Sequence, residues 1–356
     1  MHMSDALISP AVGAAGWITA AGFLAYSARR VQNHAETNRP ALMGVLGAFV
    51  FAAQMVNFSI PGTGSSGHLG GGLLLAALLG PHAAFLVLAS VLTVQALLFA
   101  DGGLLALGCN IVNLGVFPCL VAYPLLFLPL AGRSQSRRRL TVGALAAAVV
   151  GLQLGALAVA LETTVSGITE LPLPTFLVFL LPVHLAIGLV EGLVTAGVLL
   201  YVRTTRPDLV SSVAPRRSIL ASFATGALLV GGLLSWFASS QPDGLEWSIA
   251  RVAGAEELAA PQDGVHDALA EVQTATSMLP DYSLPSAGGA EATAANAATS
   301  LSGVFGAALT LLAALGIGTT LRWLRSRGNP SRPLPVPDDH RSRPLACPQP
   351  GRTRSA

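Results

Sequence analysis

The sequence predicts an all-α, polytopic integral membrane protein: a seven-helix bundle followed by a two-helix C-terminal hairpin with a large outer loop. Two observations carry this. Over 356 residues the chain is 52% hydrophobic and 11% charged, and the apolar residues fall in successive runs rather than one core-sized block. The runs are separated by Pro, Gly and clusters of Arg, and the chain contains no Lys. A net charge of +2 says little about partners, because the charges segregate by side.

Nine apolar runs read as spans: 8–28, 41–58, 69–80, 83–100, 104–130, 140–161, 174–202, 219–238 and 301–321. A span takes ~20 apolar residues, which most of them supply. The third is too short. It reads as a helix that starts deep in the membrane after a loop that dips in, which is tolerated where backbone is buried in protein or lines a polar cavity. Arg29, Arg30 and Arg39 follow the first run, Arg133 and Arg137–Arg139 the fifth, Arg203, Arg206, Arg216 and Arg217 the seventh, and Arg322, Arg325 and Arg327 the ninth. If every run spans, all four clusters share one side. The positive-inside rule makes that side cytoplasmic, with the N-terminus outside and the C-terminus inside.

The organisation follows: 1–203 as the membrane domain, 204–217 as a cytoplasmic linker, 218–322 as a second domain around outer loop 239–300, and 323–356 as a disordered tail. From Asp243 to Glu291 the outer loop carries nine acids against one base, Arg251, a field that would gather divalent cations. Cys109 and Cys119 read as small buried apolar residues. The first run lacks the basic flank of a signal peptide, so the Met1 amine is expected to survive.

Three positions could carry chemistry. The Met1 amine, the His2 amide nitrogen and the His2 ring can close two fused chelate rings on one metal ion. His68 follows Gly62, Gly64 and Gly67 and precedes Gly70–Gly72 in a loop where backbone can approach closely. The helix count puts it on the same face as the N-terminus, where it could give a fourth nitrogen. A planar nitrogen set suits Ni²⁺ or Cu²⁺ better than Zn²⁺. The competing reading of His2 is a solvated terminal residue, and that of His68 a polar residue opening a helix. Binding through deprotonated nitrogens is expected to weaken as pH falls through the His range.

His184 and Glu191 share one face of the seventh helix and read as a buried pair locking the bundle, with Gly188 and Gly192 as a strip for close helix approach. Asn57, Gln95, Asn110 and Asn113 read as interhelical groups or supports behind the ligands. His82 belongs to a short loop on the opposite side from His68. No P-loop can exist without Lys, so active uptake would draw its energy from a partner.

The stretches "MVNFSIPGTGSSGHLGGGLL", "QALLFADGGLLALGCNIVNLG" and "HLAIGLVEGLVT", with Met1-His2 and "SDALISP", resemble the CbiM/NikM family over residues 1–200. That family comprises substrate-binding components of energy-coupling factor transporters for cobalt and nickel. "SSQPDGLEWSIA" resembles the start of a PDGLE, or NikN-like, domain. The resemblance implies a metal site of Met1, His2 and His68 for Ni²⁺ or Co²⁺ as transported substrate, with no organic cofactor. It implies a transmembrane coupling protein (CbiQ/NikQ-like) and cytosolic ABC ATPases (CbiO/NikO-like) as partners in a prokaryotic plasma membrane. It implies neither nucleic-acid binding nor an enzyme. Family members often read "GPW" where this chain has Gly80-Pro81-His82. Two other readings compete: a stand-alone metal channel or secondary transporter, and a rhomboid-like serine protease with Ser66 as nucleophile and His184 as base.

Overall fold

The computed structural model describes residues 2–33, 39–132, 136–205, 217–283 and 292–328. The expectations for Met1, Arg133, most of the linker and the tail beyond residue 328 lie outside the described residues. The architecture is all-α. Its framework is α1 (Pro10–Asn33), α2 (Pro40–Gln54), α3 (Gly72–Leu79) and α4 (Pro81–Phe99), then α5 (Leu107–Ile111) running through a π-wound stretch (Val112–Phe127) into α6 (Leu128–Ala131). There follow α7 (Arg137–Ser166), α8 (Leu173–Thr205), α9 (Arg217–Gly232), α10 (Gly244–Ala253), α11 (Gly264–Thr276) and α12 (Ala292–Gly328). Pro118 and Pro124 fall inside the π-wound stretch, where a proline cannot donate to the helical ladder.

Among the described residues, six helices are long and apolar enough to cross a membrane; α2 and residues Ile219–Gly232 are shorter apolar helices. Ile18, Val165 and Val178 are 65–75% exposed on these helices, as lipid-facing side chains must be. The third run is shorter than its apolar residues suggest. Gly71 holds φ +74° as N-cap, so the helix begins only at Gly72. The preceding loop folds into a small antiparallel hairpin, β1 (Phe58–Ile60) with β2 (Ser65–Gly67), and Ser65 and Ser66 are fully buried in it.

Close approach of helices rests on small residues. A Cβ on Gly188 would lie 2.9 Å from the Val149 Cα, and one on Gly192 2.7 Å from the Leu145 Cα, so α8 packs backbone-to-backbone against α7. Gly231 and Gly303 bring α9 and α12 together in the same way. The C-terminal helices are built onto the first part of the chain, with α12 packed along α2 and α4.

The segment expected as an outer loop is not simply a loop. Asp243 caps α10 in a full capping box with Glu246, and Asp263 caps α11. Leu245, Ile249 and Leu279 are buried, so the segment lies against the bundle rather than free above it.

Replacing Gly192 by Leu is expected to overpack the α7–α8 contact by about 1–3 kcal/mol. A melting temperature in detergent unchanged from the parent would refute this account of the helix pair.

Candidate metal centre

The start of the chain is drawn into one end of the bundle. Met3, Leu7 and Ile8 are at most 1% exposed. Each such side chain contributes about 1.5–3 kcal/mol when taken from water. Asn110 grips Met3 from both sides: its Oδ1 accepts the Met3 N–H at 2.9 Å and its Nδ2 donates to the Met3 carbonyl at 3.1 Å. The Gly103 N–H donates to the same carbonyl. Asp5 Oδ1 accepts the Ala106 N–H at 2.9 Å, and a side chain at Gly103 would collide with that carboxylate. The loop after α4 is therefore shaped around the N-terminal segment.

This docking sets His2 against His68. The two rings stack with centroids 5.2 Å apart and planes within 7°. His2 Nδ1 lies 2.9 Å from Asp101 Oδ1, and the Tyr282 hydroxyl donates to the other Asp101 oxygen. Burial alone would raise the Asp101 pKa, but the His2 imidazole outweighs it and holds the carboxyl below its usual range. His2 Nε2 is buried without a hydrogen-bond partner. Burial pushes the His68 imidazole down to about 3, so this ring stays a neutral nitrogen donor at ordinary pH. The expected loss of binding as pH falls through the ordinary His range thus does not come from His68.

A cavity of about 10 Å³ lies beside His68, lined by Gly67, Gly70, His184, Ile187, Asp243 and Gly244 among others. It has room for about one water. His184 Nδ1 bonds the Leu180 carbonyl at 2.8 Å, while its Nε2 is buried with no hydrogen-bond partner.

His184 and Glu191 take separate partners rather than each other. Glu191 accepts the Gly70 N–H at 2.8 Å and the Gly71 N–H at 3.1 Å, anchoring the backbone just after His68. Gln54 donates to the Gly70 carbonyl and accepts from Gln95, which extends that anchor into α4. Asn113 donates to Glu162 at 2.6 Å beneath Met3. Asn57 contributes its backbone carbonyl, which accepts the Ser239 N–H. The Ser66 hydroxyl donates to the Gln241 carbonyl at 2.7 Å rather than to His184, which leaves the protease reading without its base. His82 sits at the far end of the bundle, its Nδ1 3.3 Å from the Ser27 hydroxyl.

Sequence reasoning missed Asp101, Asp243 and Tyr282, and it reads His266 as a solvated residue of the acidic loop, whereas the ring is buried against Asp5 and Ile8. Each reaches the site from a loop or a short helix with no periodic signal. The PDGLE motif was visible, but nothing in it indicated that its Asp lines the cavity beside His68. Among the described residues, no three His, Cys, Asp or Glu side chains gather closely enough to hold an ion by themselves.

A family profile described as the cobalt uptake substrate-specific transmembrane region, CbiM, matches residues 2–209. The chain belongs to the CbiM family. A PDGLE domain profile matches residues 217–323, so the family's membrane region is joined here to a NikN-like domain. The chain is 30% identical to the fused nickel transport protein NikMN of Rhodobacter capsulatus, over 92% of this chain and 99% of that protein. It is 29% identical to the cobalt transport protein CbiM of Geobacter sulfurreducens, over 74% of this chain and 80% of that one. A crystal structure of a truncated transition metal transporter superposes with a TM-score of 0.50 at 29% identity, covering 57% of this chain and 99% of that chain. With its long apolar helices, this CbiM-family chain is a multi-pass membrane protein.

The clamp on the N-terminal segment is itself ionisable. His266 Nε2 faces the carbonyls of Ile8 at 3.0 Å and Asp5 at 3.2 Å, and its Nδ1 faces Asp263 at 2.8 Å. All three partners accept, so both ring nitrogens donate only in the imidazolium form. Burial alone would lower the His266 pKa, but Asp263 and the two carbonyls raise it above 6.5. Its stabilisation is therefore present below that value and lost as pH rises through the raised pKa. Asp263, bonded to the His266 N–H and ring, is depressed below 3.8 and loses its share only as pH falls through that lower value. The melting-temperature difference between the parent and His266→Gln is expected to be largest below about pH 6.5 and to shrink at higher pH. A difference constant with pH would refute the imidazolium clamp.

Proposed function

We propose that this protein is the substrate-binding membrane component of an energy-coupling factor (ABC-type) importer for nickel or cobalt ions. The observation that carries the reading is the docked His2 ring stacked on His68, next to a cavity lined by His68 and by His184, whose Nε2 is buried without a hydrogen-bond partner. Buried polar atoms are ordinarily satisfied, and imidazole nitrogens are the donors that suit a borderline divalent metal ion. The cavity has room for one ion stripped of its water.

In this reading the Met1 amine, the His2 amide and ring nitrogens and His68 hold the ion. The ring atom that closes a chelate with the His2 amide is Nδ1. Capture therefore exchanges the Asp101 contact of Nδ1 for the metal, and Asp101 keeps the ring in place until the ion arrives. His68 meets the ion as a neutral donor, and Glu191 fixes the backbone that carries it. The supporting residues are Asn110, which sets the N-terminal segment, and Gln54 with Gln95, which hold the Gly70 turn.

Energy comes from partners: a coupling protein in the membrane and cytosolic ABC ATPases, since the given residues contain no Lys and so no P-loop. The outward placement of the site in a prokaryotic plasma membrane is supported by Arg30, Arg137, Arg203 and Arg327, which lie at helix ends opposite His2. The domain limits proposed are 1–203 and 218–322.

Titrating purified protein with Ni²⁺ and with Co²⁺ while recording visible absorption tests the site. A yellow diamagnetic nickel species is the expected signature of a planar nitrogen set. His2→Ala and His68→Ala are each expected to abolish high-affinity binding without loss of folding. One residue added before Met1 is expected to do the same by displacing the amine. Unchanged affinity in all three variants would remove the proposal.

A further inference from the structure

The cavity beside His68 is lined by residues of both the CbiM and the PDGLE regions. The segment 239–244 lies along the hairpin that leads to His68. The Ser239 N–H donates to the Asn57 carbonyl at 2.8 Å, and the Ser59 and Ser239 hydroxyls meet at 2.9 Å. The Ser66 N–H donates to the Pro242 carbonyl at 2.8 Å, and Trp247 Nε1 to the Thr63 carbonyl at 3.0 Å. This strand-like docking delivers Asp243 and Gly244 to the wall of the cavity beside His68 and His184. Gly244 fits because it has no side chain: a Cβ there would lie 2.6 Å from Val183 Cγ1 and 3.3 Å from the His184 ring.

Among the described residues the cavity wall otherwise consists of imidazoles, glycines and aliphatic side chains, and Asp243 is the one carboxylate there. A divalent cation moving from water into such a place loses hydration that neutral nitrogens replace only in part, so a negative charge at the wall lowers the cost of entry. The buried, partnerless His184 Nε2 points independently to a cationic ligand in the same cavity. We propose that Asp243, supplied by the PDGLE domain, is a further residue of the metal site: it receives the incoming divalent cation, and the 239–244 segment carrying it must lift from the hairpin for the ion to enter or leave. The proposal rests on the metal-capture reading above. It deepens that reading by making the C-terminal domain part of the site rather than an appendage.

Stopped-flow binding of Ni²⁺ to the full-length protein in detergent provides the test. Asp243→Asn removes the charge while keeping an equally good helix N-cap. Its association rate is expected to fall at least tenfold, with a weaker salt dependence and an unchanged melting temperature. Asp243→Ser, which also caps, repeats the measurement should the first variant fold poorly. In Ser59→Cys/Ser239→Cys, the oxidised protein is expected to exchange Ni²⁺ at least tenfold more slowly than the reduced protein, while the parent is indifferent to the same oxidant. Parent-like association in both Asp243 variants, or a disulfide that does not form or leaves exchange unaltered, would overturn the proposal. Should the reduced parent fail to bind Ni²⁺ or Co²⁺, or bind equally without His2 and His68, the failure lies in the underlying reading instead.

Discussion

The grip of Asn110 on the backbone of Met3 is the constraint on which the candidate site depends. One amide side chain satisfies both polar groups of a fully buried residue, as an adjacent strand would. Without it, Met3 would carry an unpaired N–H into an apolar pocket, at a cost of about 1–3 kcal/mol. With it, the segment from His2 to Ile8 becomes a structural element rather than a frayed end. His2 gains a defined position, and its neighbours can be arranged around it. The loop after α4 repeats the logic: Gly103 gives way to Asp5, and Asp101 reaches the imidazole.

Two parts of the chain far apart in sequence meet on this segment. α11 presses on it from outside through His266, and Gln273 ties the same helix to the carbonyls of Ala96 and Gly102. Tyr282, stacked on Phe99 with ring centroids 4.8 Å apart, bonds Asp101 behind His2. Asp281 and Tyr282 accept positive φ values of 50° and 56° at this turn, a backbone state that costs non-glycine residues energy. The PDGLE domain thus touches the partners of both imidazoles, His2 through Asp101 and His68 through the hairpin.

Much of the framework was legible in the sequence. Long apolar runs are sufficient to place the helices, and the expectation that His2 and His68 share a face agrees with their stacked rings. The small-residue strip at Gly188 and Gly192 was legible because helical spacing is periodic. The illegible part is non-periodic. Asp243 reads equally well as a helix cap, which it is, and as a cavity residue, which it also is. His266 reads as solvated because nothing local indicates that Asp5 and Ile8 lie above it. Helical spacing pairs Glu191 with His184, but its partners are two backbone N–H groups 120 and 121 residues away. Backbone donors leave no trace in side-chain pattern.

That last contact has a mechanical consequence. A carboxylate rooted in the long transmembrane α8 holds the peptide groups immediately after His68 on a short, inextensible tether. Sliding or rolling α8 within the bilayer would therefore tug the imidazole out of register with the stacked ring of His2. A force applied to that helix at the end that carries Arg203 thus has a direct lever on the His2–His68 pair.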